Sequence, residues 1–338
     1  LWLARAQRER LIIIIDALDK LQGLPEQLRW LPDYIPPNVR LVVSAVESEE
    51  LEILRARKWT EWKLKLLSKK EREMLISKYL AAYGKSLSVR QKTHIAQDAK
   101  TSNPLFLRTL LEELRIFGYF EQLDQQIDFY LSAADLPDLF QKVLERLEQD
   151  FGTELVRSVV ESLWASRRGL SETELLEITG ASRMDLSALL VALEHHILRR
   201  AGLMSFFHHY LRQAVEKRYL GERQAQAQAH TRLADYFQQL DVTSRVCEEL
   251  PWQLMEAGKV DRLVTCLATI PIFLTLHTDL RKFELLQYWL AIGDHTRMVD
   301  SYRESILRYE QGHNDPLALA KAMSELGEFF RLSGDFDS

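Results

Sequence analysis

The sequence is poor in the residues that build cross-linked or low-complexity proteins. Its 338 residues hold two cysteines, Cys247 and Cys266, too few and too isolated for a disulfide framework or a zinc site. Thirteen glycines and nine prolines leave little material for flexible linkers, and no low-complexity stretch interrupts the chain. The longest pure aliphatic run, Leu11 to Ile15, is closed by Asp16. That is far short of the ~20 residues that cross a membrane and shorter than a signal-peptide core. A charge excess is missing too: 44 Lys and Arg face 49 Asp and Glu, a net charge of −5. Such a balance offers no electrostatic footprint for nucleic acid or an anionic membrane. These absences point to a reducing, cytoplasmic compartment.

What remains is 46% hydrophobic and 28% charged, the composition of an ordinary soluble globular protein. At roughly 150 residues per domain the length suggests two to three domains. The chain opens on Leu1 and stops at Ser338 in mid-pattern, so it reads as a piece of something larger. Leu11-Ile12-Ile13-Ile14-Ile15 is apolar on both faces, as a central parallel strand covered on each side requires. Arg40-Leu41-Val42-Val43-Ser44 repeats the type, leaving room for a crossover helix around Pro25 to Leu31. Trp62 to Leu67 is a candidate third strand. These elements make half of a doubly wound sheet.

From Ser68 the pattern turns helical. Ser68-Lys69-Lys70-Glu71 is a capping box opening a helix to about Ala82. Asn103 and Pro104 supply an N-cap and an N1 proline for Leu105 to Phe117. Asp135 to Asp150 and Thr153 to Ser166 are amphipathic helices. Ser171-Glu172-Thr173-Glu174 starts a short helix ending at Gly180, and Ser182 starts another through His195. Ile197 to Arg200, Gly202 and Met204 to Phe207 read as a hairpin. Helix, helix, helix, hairpin is the layout of a winged helix. Beyond Leu220 everything is helical, with Gln224 to His230 read as an exposed face. Ala318 to Phe330 followed by Gly334-Asp335-Phe336 matches the first helix and turn of a tetratricopeptide repeat. A single such repeat cannot bury its own face, so further repeats are expected.

Asp16 is the first candidate for chemistry, because carboxyl ends of parallel strands are where α/β sheets bind ligands. With Ala17-Leu18-Asp19 behind it, the segment resembles the Walker B region of the NACHT branch of STAND signal-transduction NTPases, of the nephrocystin and telomerase-associated-protein types. Leu41-Val42-Val43-Ser44 is similar to the family's sensor strand, with Ala45 and Val46 where an arginine is usual. Ser102-Asn103-Pro104 is similar to the Gly-x-Pro motif of the helical lid, and Phe207-His208-His209 to the methionine-histidine-aspartate motif.

The resemblance implies ATP or ADP with Mg²⁺ as cofactors. Asp16 would hold the metal and Asp19 would position water or metal, the catalytic pair. Ser44 would lie at the nucleotide, Pro104 would contact adenine and His208 would bind the ADP β-phosphate. The implied function is a switch: ADP holds a closed state, ATP permits opening and homo-oligomerisation, and the repeats sense a protein partner.

The phosphate-cradling loop Gly-x-x-x-x-Gly-Lys-Ser/Thr occurs nowhere in the sequence. Gly84-Lys85-Ser86 ends correctly but follows a helix without a glycine-rich loop. ATP hydrolysis is therefore not expected of these residues alone. The candidate recognition helix, Met184 to Glu194, carries no Lys or Arg, against a DNA reader. His195-His196 and His208-His209 lack i, i+4 partners for a metal. The rival reading is a nucleotide-independent helical scaffold for protein–protein interaction, derived from a degenerate NTPase. A winged-helix transcription regulator is a third. The expected fold is mainly α with an N-terminal partial α/β: half a P-loop-type sheet over 1–67, a helical lid over 68–140, a winged helix over 141–221, and helical repeats from 222 to 338.

Overall fold

The computed structural model describes residues 10–18, 28, 30–32, 34–278, 281–312 and 315–334. The chain divides into two units, 1–66 and 67–338.

In the first unit, β1 (Leu11–Ile15) pairs in parallel with β2 (Val39–Val43), Leu11 opposite Val39 and Ile15 opposite Val43. Helix α1 (Glu49–Ala56) follows. Ile15, Leu41 and Val43 pack on a small core of Leu18, Leu28, Leu31 and Leu54. The opposite face is open: Ile12 is 61% and Ile14 73% exposed. Among the described residues, the sheet expected to be covered on both sides is thus covered on one. A run of consecutive aliphatics shows no alternation, so it cannot reveal which face packs. Trp62 to Leu67 forms no strand, and Trp62 and Leu64 stand exposed. Alternating apolar residues become a strand only where a neighbouring backbone takes up their N–H and C=O groups. Most of the expected crossover helix, including residues 25–27, and Asp19 lie outside the described residues.

The second unit begins with α2 (Lys69–Ala81) and α3 (Val89–Gln97), each opened by a complete capping box, Ser68 with Glu71 and Ser88 with Gln91. Helix α4 (Pro104–Ile116) starts where Asn103 Oδ1 accepts from the Leu105 and Phe106 amides. Then come α5 (Leu123–Leu131), α6 (Leu136–Phe151) capped by Asp135, and α7 (Thr153–Ala165). Helices α8 (Glu172–Thr179) and α9 (Arg183–Ala192) precede the antiparallel hairpin of β3 (Ile197–Arg200) and β4 (Leu203–Phe206). Leu170 adds a bridge to Met204 on the hairpin. The helix expected to reach His195 stops at Ala192, and Glu194 to His196 form a 3₁₀ turn.

After α10 (His209–Tyr219), seven helices follow among the described residues: α11 (Arg223–Gln238), α12 (Ser244–Glu256), α13 (Val260–Ala268), α14 (Ile270–Leu276), α15 (Lys282–Ile292), α16 (His295–Gly312) and α17 (Pro316–Ser333). Phe237, Phe273, Tyr302 and Phe329 are wholly buried within this array. The Phe273, Tyr302 and Phe329 rings meet edge-on with centroids 5.2 to 6.0 Å apart, a favoured aromatic geometry. The face read as exposed over Gln224 to His230 is covered at its end, since Ala229 and His230 are buried. Gly334 closes α17 in the left-handed region at φ +91°, which glycine adopts without a Cβ penalty. Asp335 and Phe336 of the expected turn lie outside the described residues. Among the described residues the chain is mainly helical, its parallel sheet has two strands, and no helix is long and apolar enough to cross a membrane.

Candidate functional site

The parallel register of β1 and β2 brings Asp16 and Ser44 together at the carboxyl ends of the strands. The Ser44 hydroxyl donates to Asp16 Oδ1 and accepts from the Ala17 amide at 2.9 Å. Ser44 N donates to Ile15 O at 2.9 Å, and Leu18 N to Ser44 O at 2.8 Å. These bonds hold Ala17 at φ +54°, a left-handed conformation that a residue with a Cβ adopts only when its surroundings impose it. The corner is therefore rigidly built, with Asp16 exposed at its tip.

Mg²⁺ takes one or two carboxylates, keeps waters, and completes its shell with phosphate oxygens. Asp16 and Ser44 fit the protein side of such a shell. Among the described residues no group of three or more His, Cys, Asp or Glu could hold a metal ion, and no glycine-rich loop is present to cradle the phosphates.

In the second unit Pro104 occupies the first turn of α4 and His208 is the N-cap of α10. His208 makes no side-chain capping bond, and its ring packs 4.3 Å from that of Phe207. Burial holds its pKa below the usual 6.5, helped by His196, Arg108 and His209. Arg108 lies one turn beyond Pro104 on α4. The fold thus brings the Pro104 helix and His208 into one electrostatic neighbourhood.

Behind them is a polar cluster that composition and spacing did not reveal. Glu113 of α4 is 2% exposed. It accepts from Tyr130 Oη at 2.7 Å and from Arg146 Nε at 2.7 Å, with His196 Nε2 at 4.0 Å. Burial opposes its charge, but His196, Arg146 and Tyr130 together hold the carboxyl below its usual 4.5. Its neighbour Glu112, 4% exposed, binds Tyr79 and Arg115, with His195 Nε2 at 3.5 Å. The signal was present in part: α4 is buried on nearly every side from Phe106 to Leu114, so both carboxylates had to be paired inside. Apart from Arg115, three residues on in α4, their partners come from α2, α5, α6 and the 3₁₀ turn, which no local pattern names. This cluster ties α4 to the turn that leads into the hairpin.

No family model and no solved structure matches the chain. Among curated proteins, a TPR repeat-containing protein of Dictyostelium discoideum is 32% identical over 299 residues, covering 86% of this chain and 18% of that protein. Nephrocystin-3 of Mus musculus is 28% identical over 341 residues, covering 96% of this chain and 26% of its own length. Telomerase protein component 1 of Mus musculus is 30% identical over 175 residues, 49% of this chain and 7% of that protein. The chain thus spans about a fifth to a quarter of the first two relatives. It is similar to tetratricopeptide-repeat proteins and to nephrocystin-3.

Proposed function

We propose that this chain is a helical scaffold that binds protein partners through its C-terminal array. The observation that carries the reading is the array itself. Helices α11 to α17 stack on an aromatic core while Phe283, Leu290, Leu307 and Leu317 remain 57–80% exposed. Similarity to a TPR repeat-containing protein over most of the chain supports it. Stacked helix pairs present extended surfaces, which is how such repeats bind proteins. In this reading 222–338 is the binding part, and 68–140 and 141–221 form the lid-like and winged-helix-like base behind it. Neither the balanced charge nor helix α9, which carries no Lys or Arg after Arg183 at its first position, favours nucleic acid.

A second reading is favoured by one observation, the Asp16–Ser44 corner at the strand ends. It makes 1–67 part of an ATP- or ADP-responsive switch with Mg²⁺, in which Asp16 and Asp19 serve metal and water, and Ser44, Pro104 and His208 serve nucleotide. It requires a phosphate cradle from residues other than these, and oligomerisation on opening belongs to it.

Partner capture by cross-linking separates the readings. Leu290→Glu with Leu307→Glu is expected to abolish capture of proteins held by the wild type, while Asp16→Ala leaves capture unchanged with or without MgADP. Capture that survives the array substitutions, or that follows Asp16 and nucleotide, overturns the scaffold reading.

A further inference from the structure

We propose that the turn between α7 and α8, residues 166–170, is a coupling joint through which the helical array grips α10, the helix that His208 opens. The joint is built around Glu249 of α12, whose side chain is completely buried. Its Oε2 accepts from the Arg167 amide at 3.1 Å and from Gln253 Nε2 at 2.9 Å. Its Oε1 accepts from the Arg168 amide at 3.0 Å and from Arg245 Nη1 at 2.9 Å. Four donors, two of them main-chain amides of one turn, converge on a single carboxylate carried by another helix. In a low-dielectric interior such a charge is held firmly only while every donor stays in place.

The grip extends both ways from this carboxylate. Arg245 also donates to Glu174 Oε1 at 2.8 Å on α8 and to the Gly169 carbonyl at 2.7 Å. Arg167 reaches the Glu248 carbonyl at 3.2 Å and pairs with Glu284 of α15. The turn is therefore bound to α12 and α15 of the array by main chain and side chain together. Toward α10, Gln253 Nε2 donates to the Ala165 carbonyl at 2.9 Å, and Gln253 Oε1 bonds His230 Nδ1 at 2.8 Å. One residue before, the Trp164 carbonyl accepts from Arg212 of α10. The Arg212 guanidinium lies 4.8 Å from the centre of the Trp164 ring, and the His230 ring stands 5.3 Å from that ring. Arg212 is one helical turn from His208. A continuous run of bonds and ring contacts thus links Glu249 to Gln253, the end of α7, Arg212 and α10.

Because the end of α7 is shared, α12 cannot shift against the turn without loosening the carbonyl that holds Arg212. The joint itself does not depend on what the array binds. That a bound partner is felt at His208 rests on the scaffold reading. Physical connection alone does not establish coupling, so the test measures coupling energy directly.

Amide hydrogen exchange is followed in the 338-residue protein without any partner. The four proteins are the wild type, Glu249→Gln, Arg212→Met and the double variant. Glutamine at 249 keeps the shape but turns an N–H group toward a donor. Exchange is expected to rise roughly tenfold in 166–170, the loss of one charge-assisted bond, and to rise also over 209–215. Residues 89–97 of α3 keep wild-type rates. Arg212→Met should speed 209–215 and leave α3 unchanged, and the double variant should speed 209–215 by less than the product of the single effects. Arg245→Lys, which keeps the charge but loses the fork, should reproduce the Glu249→Gln pattern at lower amplitude and serves if that variant does not fold. A rise confined to the turn and α12 overturns the proposal. So does a uniform rise that includes α3, or single effects that multiply.

Discussion

Glu113→Ala is expected to lower the stability of the second unit by about 3–5 kcal/mol, the usual loss when one member of a buried ion pair is removed. The substitution strands the Tyr130 hydroxyl and leaves the part-buried Arg146 guanidinium with Asp150 in place of two carboxylates; both donate to Glu113, from α5 and α6. It also leaves a void where a buried side chain stood. Denaturant-induced unfolding followed by circular dichroism measures the loss, with the dependence on denaturant concentration unchanged. A loss under about 1 kcal/mol is what a solvated surface pair gives, and would show that the cluster does not hold α4 in place. The acid limb of the stability curve gives the same answer independently. The Glu113 carboxyl is held below 4.5 in the folded protein. Its contribution is therefore complete above 4.5 and is lost as pH falls through the lower folded value. His208 acts in the same direction at higher pH. Its folded pKa lies below 6.5, so the unfolded chain takes up that proton first and stability declines below about 6.5. Glu113→Gln flattens the lower limb and His208→Asn the upper one.

Gly169→Ala is expected to cost about 2–4 kcal/mol, and Gly152→Ala about 1 kcal/mol. Both glycines have a positive φ, +92° at Gly169 and +86° at Gly152, so the conformational penalty is shared. The difference lies in the space. A Cβ on Gly152 meets nothing within 4 Å, whereas one on Gly169 falls 2.3 Å from the Met204 carbonyl oxygen. That carbonyl belongs to backbone and cannot rotate away. The pair of bonds between Leu170 and Met204, 2.9 and 2.8 Å, must open to admit the methyl group. Thermal unfolding of the two variants side by side separates strain from collision. Equal losses would mean that the turn has room to move, and the close approach of Gly169 to the hairpin would carry no energetic weight.

What could be read from the sequence was whatever is decided within a few residues. Ser68 with Glu71, Asn103 with Pro104, Asp135, and Ser171 with Glu174 name helix starts because each cap closes within about one turn. The Asp16–Ser44 corner was legible for a different reason: two aliphatic strands end on those residues, and parallel pairing brings such ends together. The open face of Ile12 and Ile14 was not, because an unbroken aliphatic run has no polar side to mark it. Trp62 to Leu67 has the composition of a strand, but strand formation is decided by a neighbour that the segment cannot specify. The two buried carboxylate centres were illegible for the same reason. Arg146 lies 33 residues from Glu113, and Arg167 lies 82 from Glu249. A glutamate inside an amphipathic helix announces that it needs a donor, never which one.

Isothermal titration of MgADP into the 338-residue protein tests the central claim most directly. A scaffold that lacks a phosphate cradle predicts no saturable heat up to millimolar nucleotide, because the backbone N–H groups of a glycine-rich loop supply most phosphate contacts in such sites. Saturable binding with a micromolar Kd, lost in Asp16→Ala and His208→Ala, would contradict it and make the nucleotide-controlled switch the better account of this chain.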